Sequence, residues 1–266
     1  MKNFFSLATL RFFVVILLLN ALSSFDPPSA KGREIYRITV YQFSNASQEK
    51  VLDNYLERAL IPALHRLKVE KVGVFKPVTN DTAAMKQVYV LIPMTSVDML
   101  TKIADGMEKD KAYQDAAAEY VNAVHTSPPY TRIETILLQA FELAPKMGLP
   151  ALKSDKKDRV YELRSYESAT EKIYKNKVQM FNQGDEIGLF KRLNFNAVFY
   201  AEVIAGSKMP NLMYMTSFEN MDDRNSHWKT FVDDPYWKKL SAMPEYQNNV
   251  SHIDIILMHP AEYSDL

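Results

Sequence analysis

In a β-strand, residues two apart share a face. The segment His252-Ile-Asp-Ile-Ile-Leu-Met258 places His252 and Asp254 in that relation. A carboxylate beside an imidazole orients the ring and raises its basicity, so the pair is a candidate general base with its orienting acid. Six further residues could hold a ligand: Arg37 and Arg164 as partners for an anion, Tyr41 and Tyr166 as stacking or hydrogen-bonding groups, and Glu134 and Glu162 as acceptors. Other chemistries lack their residues. The chain has no cysteine, which removes thiolate nucleophiles, disulfides, iron–sulfur clusters and cysteine-bound zinc. Seven glycines and no glycine-rich loop argue against a P-loop or a dinucleotide fingerprint. No GxSxG elbow supports serine catalysis. Asp223 and His227 stand four apart, as on one helix face, but no HExxH pattern accompanies them. A helix-surface hydrogen bond is expected there, and no metal site is expected anywhere in the chain. The 13 methionines form no Met/His run and fit core filling.

The elements that must position these residues come in two copies. Tyr36, Tyr41 and Tyr89 recur as Tyr161, Tyr166 and Tyr214 at a constant offset of 125, and Arg132–Leu138 matches His252–Met258 at 120. The first repeat is read as residues 34–143 and the second as 158–266. They are joined by a Pro-, Gly- and charge-rich linker at 144–157. In the second repeat, Val160–Tyr166 reads as a strand, and a helix is expected from the capping box Ser168-Ala-Thr-Glu171. Ala197–Val203 and Leu212–Phe218 read as a hairpin, Met221–Val232 as a helix, Asp234-Pro235 as the start of another, and His252–Met258 as the last strand. The first repeat carries the same order, with its opening helix expected from Ser47 to about Leu60. Strand–helix–strand–strand–helix–strand is the ferredoxin-like unit. Its helices cover one sheet face only, so the fold class expected is α+β, two tandem ferredoxin-like repeats facing each other as an intrachain dimeric α+β barrel.

Alternation within strands then assigns faces. The apolar set Tyr36, Ile38 and Val40 is expected against the helices. Arg37, Thr39 and Tyr41 would point into the barrel, joined there by Glu162, Arg164, Tyr166, Glu134, His252 and Asp254. Such a layer is either a satisfied polar network or a ligand pocket. Trp228, Phe231, Tyr236 and Trp237 read as core that staples helices to the sheet.

Residues 1–23 combine Lys2 and Arg11 with the apolar run Phe12–Leu19 and small residues at Ala21-Leu22-Ser23. This is the pattern of a cleaved secretory signal, with an uncleaved N-terminal membrane anchor as the alternative. Residues 24–33 read as a tether. Lys+Arg and Asp+Glu are 32 each, and removing the leader leaves 30 positive against 32 negative groups, a net charge of −2. No basic footprint points to nucleic acid, and no stable membrane span is expected after cleavage.

The second repeat resembles the NIPSNAP family through Tyr161-Glu-Leu-Arg-Ser-Tyr166, Met213–Phe218 followed by Glu219-Asn-Met-Asp222, Arg224, and Phe231-Val-Asp-Asp-Pro-Tyr-Trp237. The first repeat matches more loosely, since Asp110-Lys-Ala-Tyr113 lacks the Pro and Trp of Asp234-Pro-Tyr-Trp237. The resemblance implies the stress-responsive dimeric α+β barrel superfamily and leaves the reaction undefined. The expected function is that of an exported, secreted or periplasmic protein binding a small organic ligand or a protein partner, as a monomer or homodimer. The alternative is an enzyme of the same barrel type acting on a small flat or anionic molecule, cofactor-free or haem-handling. No cofactor is predicted from the residues themselves. In the haem variant, His227 or His252 would be the axial ligand.

Overall fold

The computed structural model describes residues 32–266; the expected leader at 1–23 and the tether up to residue 31 lie outside the described residues. Runs rich in β-branched and aromatic residues form the strands. Those of the first repeat are β1 (Ile35–Phe43), β2 (Gly73–Pro77), β3 (Lys86–Met94) and β4 (Arg132–Ala140). Those of the second are β5 (Val160–Glu167), β6 (Phe199–Ala205), β7 (Asn211–Phe218) and β8 (His252–Pro260). Between β1 and β2, α1 (Ala46–Tyr55) runs through a π-type turn into α2 (Ile61–Arg66). Between β3 and β4 lie α3 (Met99–Lys109), α4 (Lys111–Ala116) and α5 (Ala118–Val121). The second repeat has α6 (Glu171–Asn182), α7 (Glu186–Arg192), α8 (Met221–Asp233) and α9 (Pro235–Ser241).

Side-chain caps fix where the helices begin. Asn45 accepts from the Gln48 amide at 3.0 Å and Asn220 from the Asp223 amide at 2.9 Å. Asp234 accepts from the amides of Tyr236 and Trp237 at 2.8 and 3.3 Å. The cap of α6 is Thr170, two residues beyond the expected Ser168, whose hydroxyl instead donates to the Asn249 carbonyl at 2.7 Å.

Each repeat orders its strands 4-1-3-2, and the edges of the two sheets pair: β2 with β8, and β6 with β4. The result is a closed eight-stranded antiparallel barrel in the order β1-β3-β2-β8-β5-β7-β6-β4. Every strand edge is thereby used, which removes the exposed hydrogen-bonding groups that an open sheet presents.

The faces of β1 and β5 are the reverse of those expected. Tyr36, Ile38, Val40, Tyr161 and Leu163 pack in one apolar cluster with residues of both repeats inside the barrel. Tyr36 meets Phe199 at 5.2 Å between ring centroids, and Phe75 meets Tyr161 at 4.7 Å. Arg37, Thr39, Tyr41, Glu162, Arg164 and Tyr166 therefore point outward, under the helices. The barrel interior has sheet on every side and excludes water most completely, so it takes the most apolar set. The outer face is roofed by a few helices and leaves clefts where polar groups remain hydrated or paired. On β4 and β8, Glu134, Ile136, Asp254 and Ile256 do face inward. Their alternates are poorly covered: Ile253 and Ile255 are 45% and 47% exposed.

The linker lies along the barrel wall. The Glu34 amide donates to the Pro145 carbonyl and the Gly148 amide to the Val198 carbonyl, both at 2.8 Å. A Cβ on Gly148 would sit 2.5 Å from the Ala197 carbonyl oxygen, a backbone atom that cannot swing aside. Gly148→Ala is therefore expected to destabilise the protein by about 1–3 kcal/mol through local overpacking, read as a lower midpoint in denaturant at unchanged m-value.

Candidate functional site

The eight candidate residues occupy three separate places. Arg37 and Tyr41, on the outer face of β1, line a cavity of about 650 Å³ between the first repeat's sheet and its helices, with Thr39, Tyr55, Met107 and Tyr113. Tyrosines wall it. Tyr55 stacks on Tyr120 with centroids 3.8 Å apart and an interplanar angle of 8°, and the Tyr55 and Tyr113 hydroxyls are 3.2 Å apart. Tyr41 meets Tyr120 and Tyr130 edge-on at 6.4 and 6.2 Å. Burial pushes the Tyr41 hydroxyl up to about 12, against the pull of the Arg37 charge, so it remains a protonated donor at neutral pH. The Arg37 guanidinium makes no ion pair among the described residues, and its Nε is buried without a hydrogen-bond partner. Burial lowers its affinity for a proton, partly offset by neighbouring tyrosines. A cation held this way is costly unless something negative joins it.

In the second repeat the 125-residue offset puts Glu162 where Arg37 stands, Arg164 where Thr39 stands and Tyr166 where Tyr41 stands. The charges here are already matched. Glu162 is fully buried and accepts from Arg164 Nε at 2.6 Å, from Arg224 Nε and Nη2 at 2.8 and 3.0 Å, and from Trp228 Nε1 at 2.7 Å. The Arg164 guanidinium lies 3.6 Å over the Trp228 ring. Burial would raise the Glu162 carboxyl, but the Arg224 hydrogen bond and the charges of both arginines outweigh it and hold it below its ordinary value. A neighbouring cavity of about 300 Å³ is lined mainly by aromatics, with Arg164 and Tyr166 on its floor. Nothing local in the sequence pairs Glu162 with α8; the one signal is that Arg224 and Trp228 stand four apart, a spacing that places them on one helix face. Of the four aromatics expected as core, Phe231 is buried and Trp228 and Trp237 pack partly buried against the same cluster, whereas Tyr236 is 39% exposed, its hydroxyl donating to the Gly184 carbonyl at 2.8 Å.

Glu134, His252 and Asp254 lie at one rim of the barrel. His252 Nε2 is 3.1 Å from Asp254 Oδ1, and the imidazole is 59% exposed. Glu134 accepts from the Ser207 hydroxyl at 2.6 Å, and Lys208 forms an ion pair with Asp254. The expected union of this pair with the arginines and tyrosines inside the barrel does not occur, because the two groups lie on opposite faces of the sheet. His227 Nδ1 is 2.9 Å from the Asp223 carbonyl oxygen and 3.1 Å from its carboxylate, the helix-surface interaction expected. Neither sheet–helix cavity is lined by a histidine, so the residues offer haem no imidazole there.

Fold and cavities together define a dimeric α+β barrel contracted into one chain. Within the second repeat, the NIPSNAP family model matches residues 161–265. No curated protein matches the chain. Among solved structures, a candidate monooxygenase from Lactobacillus acidophilus NCFM aligns at 11% identity and a TM-score of 0.56, over 86% of this chain and 94% of that one. A second candidate monooxygenase, from Fusobacterium nucleatum subsp. nucleatum ATCC 25586, aligns at 7% identity and a TM-score of 0.56, over 86% and 93%. A NIPSNAP-like domain protein from Burkholderia xenovorans aligns at 14% identity and a TM-score of 0.37, over 41% of this chain and 90% of that one. The two longer alignments span both repeats and establish the barrel architecture; at such identities they do not convey an activity.

Proposed function

We propose that this is an exported binding protein that holds a small, flat organic anion in the sheet–helix cavity of its first repeat. Arg37 supplies the counter-charge, Tyr41 a hydrogen-bond donor, and Tyr55 and Tyr113 the aromatic walls, with Tyr120 stacked against Tyr55. The observation that carries this reading is the Arg37 guanidinium, buried in part and in no ion pair among the described residues although Glu108 lines the same cavity, which has the size of small-molecule sites. A charge-assisted hydrogen bond from Arg37 would contribute about 1.5–3 kcal/mol to capture, and stacking on tyrosine would favour a planar ligand. The pattern of residues 1–23 supports export.

The test is native mass spectrometry of the full-length gene product purified at low salt, with its N-terminus sequenced. A bound anion of a few hundred daltons and a start near residue 24 are expected. A ligand-free protein that also fails to bind planar aromatic carboxylates or sulfonates would overturn the binding role; an intact Met1 would overturn leader cleavage. Conversion of the captured molecule during incubation would instead move the assignment to an enzyme.

A further inference from the structure

We infer that the barrel rim between β5 and β8 binds a divalent transition-metal ion through Glu167, His252 and Asp254. Glu167 faces His252 directly across the β5–β8 ladder, and Asp254 follows two residues on, on the same inner face. One ligand atom from each lies within 4.8 Å of the other two. Donors sharing an ion at 2.0–2.2 Å stand about 3–4 Å apart, so small side-chain rotations at this exposed rim close the site. The contact between His252 Nε2 and Asp254 Oδ1 at 3.1 Å holds a proton where such an ion would sit.

A second observation points the same way. Asn211 on β7 is only 3% exposed and lies opposite Glu167 in the β5–β7 ladder. Its Nδ2 donates to the Ser165 hydroxyl at 2.8 Å, but its Oδ1 is buried with no partner. Asn211 and Asp254 line the same small cavity, of about 160 Å³. A buried amide oxygen without a donor is unfavourable; a cation, or a water bound to one, would satisfy it. Glu134 lines this cavity too, so three carboxylates face the single ammonium of Lys208. That ammonium is paired with Asp254 and competes with an entering ion. One imidazole with two carboxylates suits zinc, manganese, iron(II) or nickel better than calcium or magnesium, which favour all-oxygen cages. Glu167 and His252 are far apart in the chain and meet only through the ladder, so no short spacing pattern in the sequence marks the site.

The site is independent of Arg37, so its failure would leave the anion proposal untouched. Full-length protein made without an affinity tag and stripped by a chelator is titrated with Co²⁺ followed by visible absorption, and with Zn²⁺ followed by calorimetry. One equivalent per chain is expected. His252→Ala and Asp254→Asn should each weaken it at least tenfold, with unchanged circular dichroism because both side chains sit at the rim. Lys208→Gln should tighten it severalfold by removing the competing ammonium. Uptake well below one equivalent, wild-type affinity in the first two variants, or unchanged or weaker affinity in Lys208→Gln would overturn the assignment.

Discussion

Arg37→Met is expected to weaken ligand capture about 10- to 100-fold and to leave the protein at least as stable as its parent. Most residues beside a cavity stabilise the fold, and their loss weakens stability and binding together. Arg37 differs because its half-buried charge is in no ion pair, and its Nε has no acceptor, among the described residues. Methionine keeps most of the apolar stem and removes a group that is costly to bury without a partner. The unfolding midpoint should therefore hold or rise. Affinity for a planar aromatic sulfonate, such as 8-anilinonaphthalene-1-sulfonate followed by fluorescence, should fall about 10- to 100-fold, the equivalent of one lost charge-assisted hydrogen bond. Unchanged affinity, or a sharp loss of stability, would show that Arg37 is a structural residue and remove the basis of the proposed site.

At the equivalent position of the second repeat the outcome inverts. Glu162→Ala removes the common acceptor of Arg164, Arg224 and Trp228 and strands two guanidinium groups beneath α8. Breaking a buried ion network from one side costs about 3–5 kcal/mol, so the urea midpoint should fall steeply. Glu162→Gln, which keeps the shape and loses the charge, should fall between the variant and the parent. The carboxyl binds its proton less readily in the folded state than in the unfolded chain. Its contribution to stability is thus complete above the ordinary glutamate value of about 4.3 and is lost as the pH drops through the lower folded value. Stability measured against pH should show a shallower acid limb in Glu162→Gln than in the parent. Parallel limbs in the two proteins would mean that Glu162 is not held ionised by the arginines.

The duplication, the strand and helix order and the barrel were legible because tyrosines at a fixed offset and period-2 strands survive in a single sequence. The faces of β1 and β5 were not. Judging each strand alone puts Tyr36, Ile38 and Val40 against the helices while putting Glu134 inside. Yet Val40 pairs with Glu134, and Ile38 with Ile136, across the β1–β4 ladder. Cross-strand partners share a face, so the two assignments could not both hold. Only the register decides between them, and register arises from turns and pairing between distant segments. The same limit hid the link from Glu162 to α8, which crosses 62 residues to Arg224.

In a barrel assembled from two identical subunits, a substitution that empties one cavity of its counter-ion must do so in the other as well. Covalent fusion lifts that constraint. Because β2–β8 and β4–β6 seal the wall within a single polypeptide, one copy can keep a saturated carboxylate as ballast for the shared body. Its sibling is then free to carry an uncompensated cation, and specialisation in one half costs the other nothing.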